Sequence, residues 1–198
     1  MNFLQYNNWE TYNIGNIKYT NYDLKEKNKK TYEKNNTLAI NNPKLSHIDL
    51  YYKNNNAINI TTPEMKCLFG LVDYGNSSYI INLQFTNYKT DPNMKNFLNF
   101  IQSIEINNLK HIGLNEDNNE LYLSQIQMNK KYDPNLIIKV PFRYTKFEVE
   151  VKNSKGEDIY INNIPKFSKV RCDIYIDKIW KFNGNYICKW KLNKLQLL

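Results

Sequence analysis

The alternation of apolar and polar residues in the last third of the chain restricts its fold more than any other feature. In Val170-Arg-Cys-Asp-Ile-Tyr-Ile176 the even positions are apolar, the period of a strand with one buried face. Arg171, Asp173 and Tyr175 are expected to face the other way. Tyr186-Ile-Cys-Lys-Trp-Lys-Leu192 repeats the pattern, with Lys189 and Lys191 opposite the apolar positions and Ile187 as the exception. Between the two runs, Phe182-Asn-Gly-Asn185 carries the Asn-Gly signal of a tight hairpin. The apolar parity then moves to Leu195 and Leu197, which predicts a bulge near Asn193.

Similar runs occur upstream. His47–Lys53 and Ala57–Thr61 flank Asn54-Asn-Asn56 and suggest a hairpin, and Glu64–Gly70 reads as a further strand. Tyr79–Phe85 follows a turn at Gly75-Asn76, and Leu136–Val140 and Lys146–Val151 complete the set. One helix interrupts the strands: Asp91 is suited to cap it, Pro92 to its first turn, and Phe97, Leu98, Ile101 and Ile104 recur at helical spacing. Residues 105–131 are ambiguous and hold a loop around Asn115–Asn119. Residues 1–42 are rich in Asn, Tyr and Lys and poor in aliphatics, which reads as an extended or partly disordered arm. The expected architecture is mainly β: one OB-like Greek-key barrel over 43–198 with one inserted helix, preceded by that arm.

Catalytic chemistry is thin. The two histidines, His47 and His111, lie in no metalloprotease pattern and beside no nucleophile, and the six glycines form no phosphate cradle. Cys67, Cys172 and Cys188 lack CxxC spacing and sit in apolar or alternating runs, so they read as buried free thiols in a reducing compartment. The acidic pairs Glu116-Asp117 and Glu157-Asp158 read as solvated surface. No enzyme, cofactor or metal is expected. Neither a basic and apolar leader nor a run of about 18 apolar residues occurs, so neither standard secretion nor a membrane span is expected.

The net charge of +8 points to a polyanionic partner. Codon drift toward Lys in an Asn/Lys/Ile/Tyr-rich chain would spread the charge evenly, yet residues 131–198 hold 14 Lys/Arg against 7 Asp/Glu while residues 1–130 hold 13 against 12. The surplus is local. Its cations are interleaved with rings in Lys139-Val-Pro-Phe-Arg-Tyr-Thr-Lys-Phe147, Lys166-Phe-Ser-Lys-Val-Arg171 and Lys178-Ile-Trp-Lys-Phe182. Single-strand binding needs cations for phosphates and exposed rings for bases. Phe147 and Trp190, in phase with apolar neighbours, read as core. The candidate nucleic-acid contacts are Arg143, Lys146, Lys169, Arg171, Lys178 and Lys181 for phosphates, with Tyr144, Trp180 and Phe182 for stacking.

Met65–Leu71, Tyr132-Asp-Pro134 with Lys139–Arg143, Phe167-Ser-Lys-Val-Arg-Cys172, Ile179-Trp-Lys-Phe-Asn-Gly184 and Lys189-Trp-Lys191 resemble a single-stranded DNA-binding family of nucleocytoplasmic large DNA viruses. That family is similar to the OB-fold single-stranded DNA-binding protein of short-tailed bacteriophages, and the likeness covers about residues 43–197. The resemblance implies a viral replication, recombination or repair protein that coats single-stranded DNA without sequence preference. It also implies residence at intracellular viral replication sites or in the virion. RNA, viral replication proteins and further copies of the chain are the other partners the reading leaves open. The phage proteins end in an acidic tail, whereas this chain ends Lys191-Leu-Asn-Lys-Leu-Gln-Leu-Leu198, so recruitment through such a tail is not carried over. The competing reading is a structural or scaffolding protein of a virion or replication factory, with the same rings forming a protein interface.

Overall fold

The computed structural model describes residues 8–22, 46–52, 57–115 and 119–198. The expected turn at Asn54–Asn56, the pair Glu116-Asp117 and most of the expected arm lie outside them. The strands are β1 (Ile17–Tyr22), β2 (Ser46–Tyr52), β3 (Ile58–Thr61), β4 (Met65–Cys67), β5 (Val72–Asp73), β6 (Tyr79–Gln84), β7 (Tyr122–Leu123) and β8 (Ile126–Gln127). They continue as β9 (Asn135–Val140), β10 (Phe142–Arg143), β11 (Lys146–Phe147), β12 (Glu150–Lys152), β13 (Ser168–Ile176), β14 (Lys178–Phe182), β15 (Asn185–Ile187) and β16 (Trp190–Leu197). The helix α1 spans Pro92–Ile112.

Five strands close a barrel. β4 pairs β6, β6 pairs β9, β9 pairs β16 in parallel, β16 pairs β13, and β13 returns to β4. Counted in chain order, the barrel strands run one-two-three-five-four and back to one, with α1 between the second and third. Closure removes the unpaired edges that an open sheet of this size would expose. The interior is apolar because the alternation turns Val170, Cys172, Ile174 and Ile176 of β13 inward against Leu136, Ile138 and Val140 of β9 and Trp190 and Leu192 of β16, all buried. The bulge expected near Asn193 is present: Asp173 faces Lys194 and Ile174 faces Leu192, so Asn193 has no opposite number.

A second sheet, in the order β1-β2-β14-β15-β7, lies beside the barrel. The Asn183-Gly184 turn joins β14 to β15 with both residues at positive φ, 49° and 83°, as a two-residue hairpin requires. The chain re-enters the barrel at Cys188-Lys189, so the expected single strand over 186–192 is two strands in two sheets.

α1 begins where expected, with the Asp91 carboxylate accepting from the backbone N–H groups of Asn93 and Met94. It ends at Gly113, which takes the left-handed φ of 76° that a C-terminal cap needs. Phe97, Leu98, Ile101 and Ile104 are buried together with Met94 and Phe100.

Several expectations give way. Of the expected arm, residues 8–22 pack into the fold: Trp9 is buried edge-on against Phe97 at 5.4 Å, and β1 pairs β2 along its length. Among the described residues, the segments 47–53 and 57–61 are not partners in a ladder: β2 pairs β1 and β14 while β3 pairs β13. The run 64–70 is extended only over β4, since Gly70 at φ 67° turns the chain. The run 146–151 divides into β11, half of a hairpin, and β12, which joins β16. Asp173 does not reach solvent: Thr61 of β3 and Lys194 of β16 flank it, and it is fully buried. The three cysteines are free and buried, as their surroundings in the sequence indicate.

Candidate nucleic-acid interface

The outward residues of three neighbouring barrel strands fall in one row. Parallel pairing sets Lys191 of β16 beside Lys139 of β9, and antiparallel pairing sets it beside Tyr175 of β13. This row floors a recess of about 230 Å³. One wall is the β10–β11 hairpin, through Phe142 and Arg143. The other is β14, through Lys178 and Trp180, and Lys189 stands where the chain crosses between sheets. Five cations therefore converge from distant parts of the chain. Partial burial, reinforced by Lys189, Lys191 and Arg143, holds the Lys139 ammonium below its usual range. An anion placed there would relieve that repulsion.

Carboxylates hold some of these cations in place. Arg143 Nε lies 3.5 Å from Glu148, Lys178 Nζ 2.9 Å from Asp49, and Lys191 Nζ 2.6 Å from Asp177. Rings lie beside the charges: Lys191 Nζ is 5.5 Å from the Tyr175 ring centre and Lys178 Nζ 5.9 Å from that of Trp180. The His47 ring meets Trp180 at 5.0 Å. Trp180 is half-buried, while Trp9 and Trp190 are buried.

The nine candidates from the sequence separate into groups. Arg143, Lys178 and Trp180 line the recess. Phe182 follows Lys178 and Trp180 along the same face of β14 and is 48% exposed. Lys181 points the other way, with Nζ 5.1 Å from the Tyr186 ring centre. Tyr144, 94% exposed, and Lys146 occupy the tip of the β10–β11 hairpin, whose turn residues Tyr144 and Thr145 both have positive φ. Lys169 and Arg171 are not brought to the recess. They are six and four residues from Tyr175 along β13, roughly 20 and 13 Å at strand spacing, and Lys169 is ion-paired with Glu64 at 2.7 Å.

Lys139, Lys189, Lys191 and Tyr175 belong to the recess and are absent from the sequence-derived set. Their signal was the alternation itself, which turns Lys139 of β9, Lys189, Lys191 of β16 and Tyr175 of β13 away from the core. Trp190 is core as expected, and Phe147 is half-buried against Tyr79 and Phe142, at 4.9 and 4.8 Å. Phe167 is 62% exposed at φ 61°. Among the described residues, no three His, Cys, Asp or Glu gather as a metal set.

No protein-family model matches the sequence, and no curated protein matches it. The fold does have counterparts among solved structures. The single-stranded DNA-binding protein from bacteriophage Enc34 superposes with a TM-score of 0.52 at 16% identity, covering 75% of this chain and 83% of that one. The same phage protein in complex with ssDNA gives 0.51 at 13% identity, covering 76% and 89%. The ssDNA-binding protein gp2.5 of bacteriophage T7 is more distant, at 0.45 and 16% identity, covering 71% and 91%. The closed five-stranded barrel with one helix is the OB-like fold expected from the sequence.

Proposed function

We propose that this protein binds single-stranded DNA without sequence preference, through the basic recess and the Trp180–Phe182 edge of the second sheet. The observation that carries this reading is the convergence of Lys139, Arg143, Lys178, Lys189 and Lys191 around Tyr175, Phe142 and Trp180. Cations that follow phosphates, beside rings on which any base can stack, are the minimum equipment for such binding. The recess floor runs across the third, fifth and fourth barrel strands, between the β4–β6 connection, which supplies Ser77, and the β14–β15 hairpin, whose first strand supplies Lys178 and Trp180. OB barrels take oligonucleotides on the second and third strands and the two flanking loops, and the recess shares with that region the third strand and both loops. Likeness to phage proteins described as single-stranded DNA-binding supports the same reading. Within it, the chain is a binding protein rather than an enzyme. Its setting is viral DNA replication, recombination or repair, at intracellular replication sites, as the resemblance to large-DNA-virus proteins suggests. Residues 43–198 form its nucleic-acid-binding unit, onto which residues 8–22 pack.

Titration of a labelled oligo-dT of about 30 nucleotides, against duplex and RNA competitors at several salt concentrations, tests the proposal. Tight, salt-sensitive binding that prefers the single strand is expected. Lys139→Gln and Lys191→Gln should each weaken it and lower the salt slope by about 0.7, the increment for one neutralised phosphate on a single strand. Trp180 is the one tryptophan of three that is not buried, so its stacking should quench intrinsic fluorescence, and Trp180→Leu should abolish the quenching. Absence of binding at low salt would overturn the proposal and favour a structural role with a protein partner.

A further inference from the structure

The β10–β11 hairpin has a second flank. Its β10 strand lines the recess, and its β11 strand lines an apolar groove of about 500 Å³, whose floor is Phe147, Val149, Val151 and Ile159 and whose rim is Lys146 and Tyr160. Tyr160 is 83% exposed. Lys146 is the only charged residue lining this groove, whereas the concavity that continues from it over Val149, Val151 and Ile159 is lined by Glu148, Glu150 and Asp158 with Lys194. The groove therefore suits an anionic ligand with apolar faces, and the adjoining surface does not.

The hairpin is built as a partition. Phe142 and Phe147 face one another across it at 4.8 Å, and both pack on Tyr79 at 4.9 Å, which anchors its base. Its tip places Tyr144 and Thr145 at φ 47° and 65°, a conformation that residues other than Gly, Asn and Asp seldom adopt. The two-residue turn between Arg143 and Lys146 imposes it, as such a turn does at Asn183-Gly184. The Tyr144 ring is almost wholly in solvent at the tip, on the turn between Arg143 of the recess and Thr145 of the groove.

We infer that the groove between Phe147 and Tyr160 is a second station for the same single strand. Nucleotides leaving the basic recess pass over Tyr144, and their bases enter the groove against Tyr160 while a phosphate meets Lys146. This rests on the proposed single-strand binding. The occupant is the nucleic acid rather than an apolar protein segment because the groove shares a wall with the recess and its one charge is positive.

The test uses the full chain and two oligo-dT lengths, about 5 and about 20 nucleotides, which bracket the reach of one barrel. Tyr160→Ala should weaken binding of the longer oligonucleotide by about 5-fold or more, the loss of one base stack, and leave the shorter unchanged. Tyr160→Phe should restore it, since stacking needs the ring and not the hydroxyl. A 5-iodouracil placed along the longer strand should photocrosslink to Tyr160. If Tyr160→Ala leaves the longer oligonucleotide as tightly bound as before, with no crosslink to Tyr160, the strand does not use the groove and the inference fails while the recess reading stands. If wild type binds neither length, both readings fall.

Discussion

Glu148 Oε2 lies 3.5 Å from Arg143 Nε in the wall of the basic recess, on a side chain nearly half exposed. The carboxylate competes with any phosphate for that guanidinium. Glu148→Gln should therefore tighten oligonucleotide binding by about 2- to 5-fold, the scale of an exposed ion pair, and steepen its salt dependence. Glu157→Gln, on an exposed loop outside the recess, changes the net charge equally and should leave affinity nearly unchanged. Equal effects from the two variants would show that only overall charge matters.

Asp173 is predicted to make stability depend on pH. Burial, with Glu150 adding to it, raises its carboxyl from 3.8 to about 7, against the opposing hydrogen bond from Thr61 and the charge of Lys194. Between those values the folded chain binds more protons than the unfolded one, so this residue's contribution falls as pH rises from about 4 to 7. Denaturant titrations should show a slope of up to about 1.4 kcal/mol per pH unit from this group, and Asp173→Asn should flatten it. An unchanged pH profile in the variant would rule the assignment out.

Gly70 should tolerate no side chain. Its φ is 67°, and a Cβ there would stand 2.6 Å from the Ile164 carbonyl oxygen. Gly70→Ala should destabilise the fold by about 2 kcal/mol or more, combining a left-handed alanine with displacement of backbone. A shift in the urea midpoint at constant slope checks this.

Asn108 is fully buried at the junction of α1 and the second sheet, where its carbonyl accepts from the Tyr19 hydroxyl and its amide donates to that of Tyr122. Asn108→Ala should cost about 1 to 3 kcal/mol in thermal or chemical unfolding, because the buried Tyr122 hydroxyl loses its donor and the half-buried Tyr19 hydroxyl, which still accepts from Asn107, loses its acceptor. The salt slope of oligonucleotide binding should not change, since the recess is elsewhere.

The barrel was legible where one strand carries its own evidence. The alternation of β13 and β16 reveals their buried faces except at Asp173, which β3 covers from the other side, and the shift of parity at Asn193 reveals the bulge. Partner choice was less legible. The Asn54–Asn56 cluster signals a change of direction, but only the assembled fold shows that β2 joins β14 and β3 joins β13. Half of the recess escaped notice for the same reason. Lys139 and Lys191 are 52 positions apart and meet through parallel pairing, which leaves no local periodic trace. Arg143, Lys178 and Trp180 were found because cations and rings alternate within their own segments. Lys169 and Arg171 share that composition, but the length of β13 carries them away from the recess.

The crossing at Cys188-Lys189 has a mechanical consequence. Lys139 and Lys191 ride on the barrel, Lys178 and Trp180 on the second sheet, and the covalent link between β15 and β16 is a short one at the edge of the recess. A polyanion held by both sets would act as a clasp across that seam, resisting separation of the two sheets. Saturating oligonucleotide would then raise the unfolding temperature in step with its free concentration, so that the ligand becomes part of what holds the molecule closed.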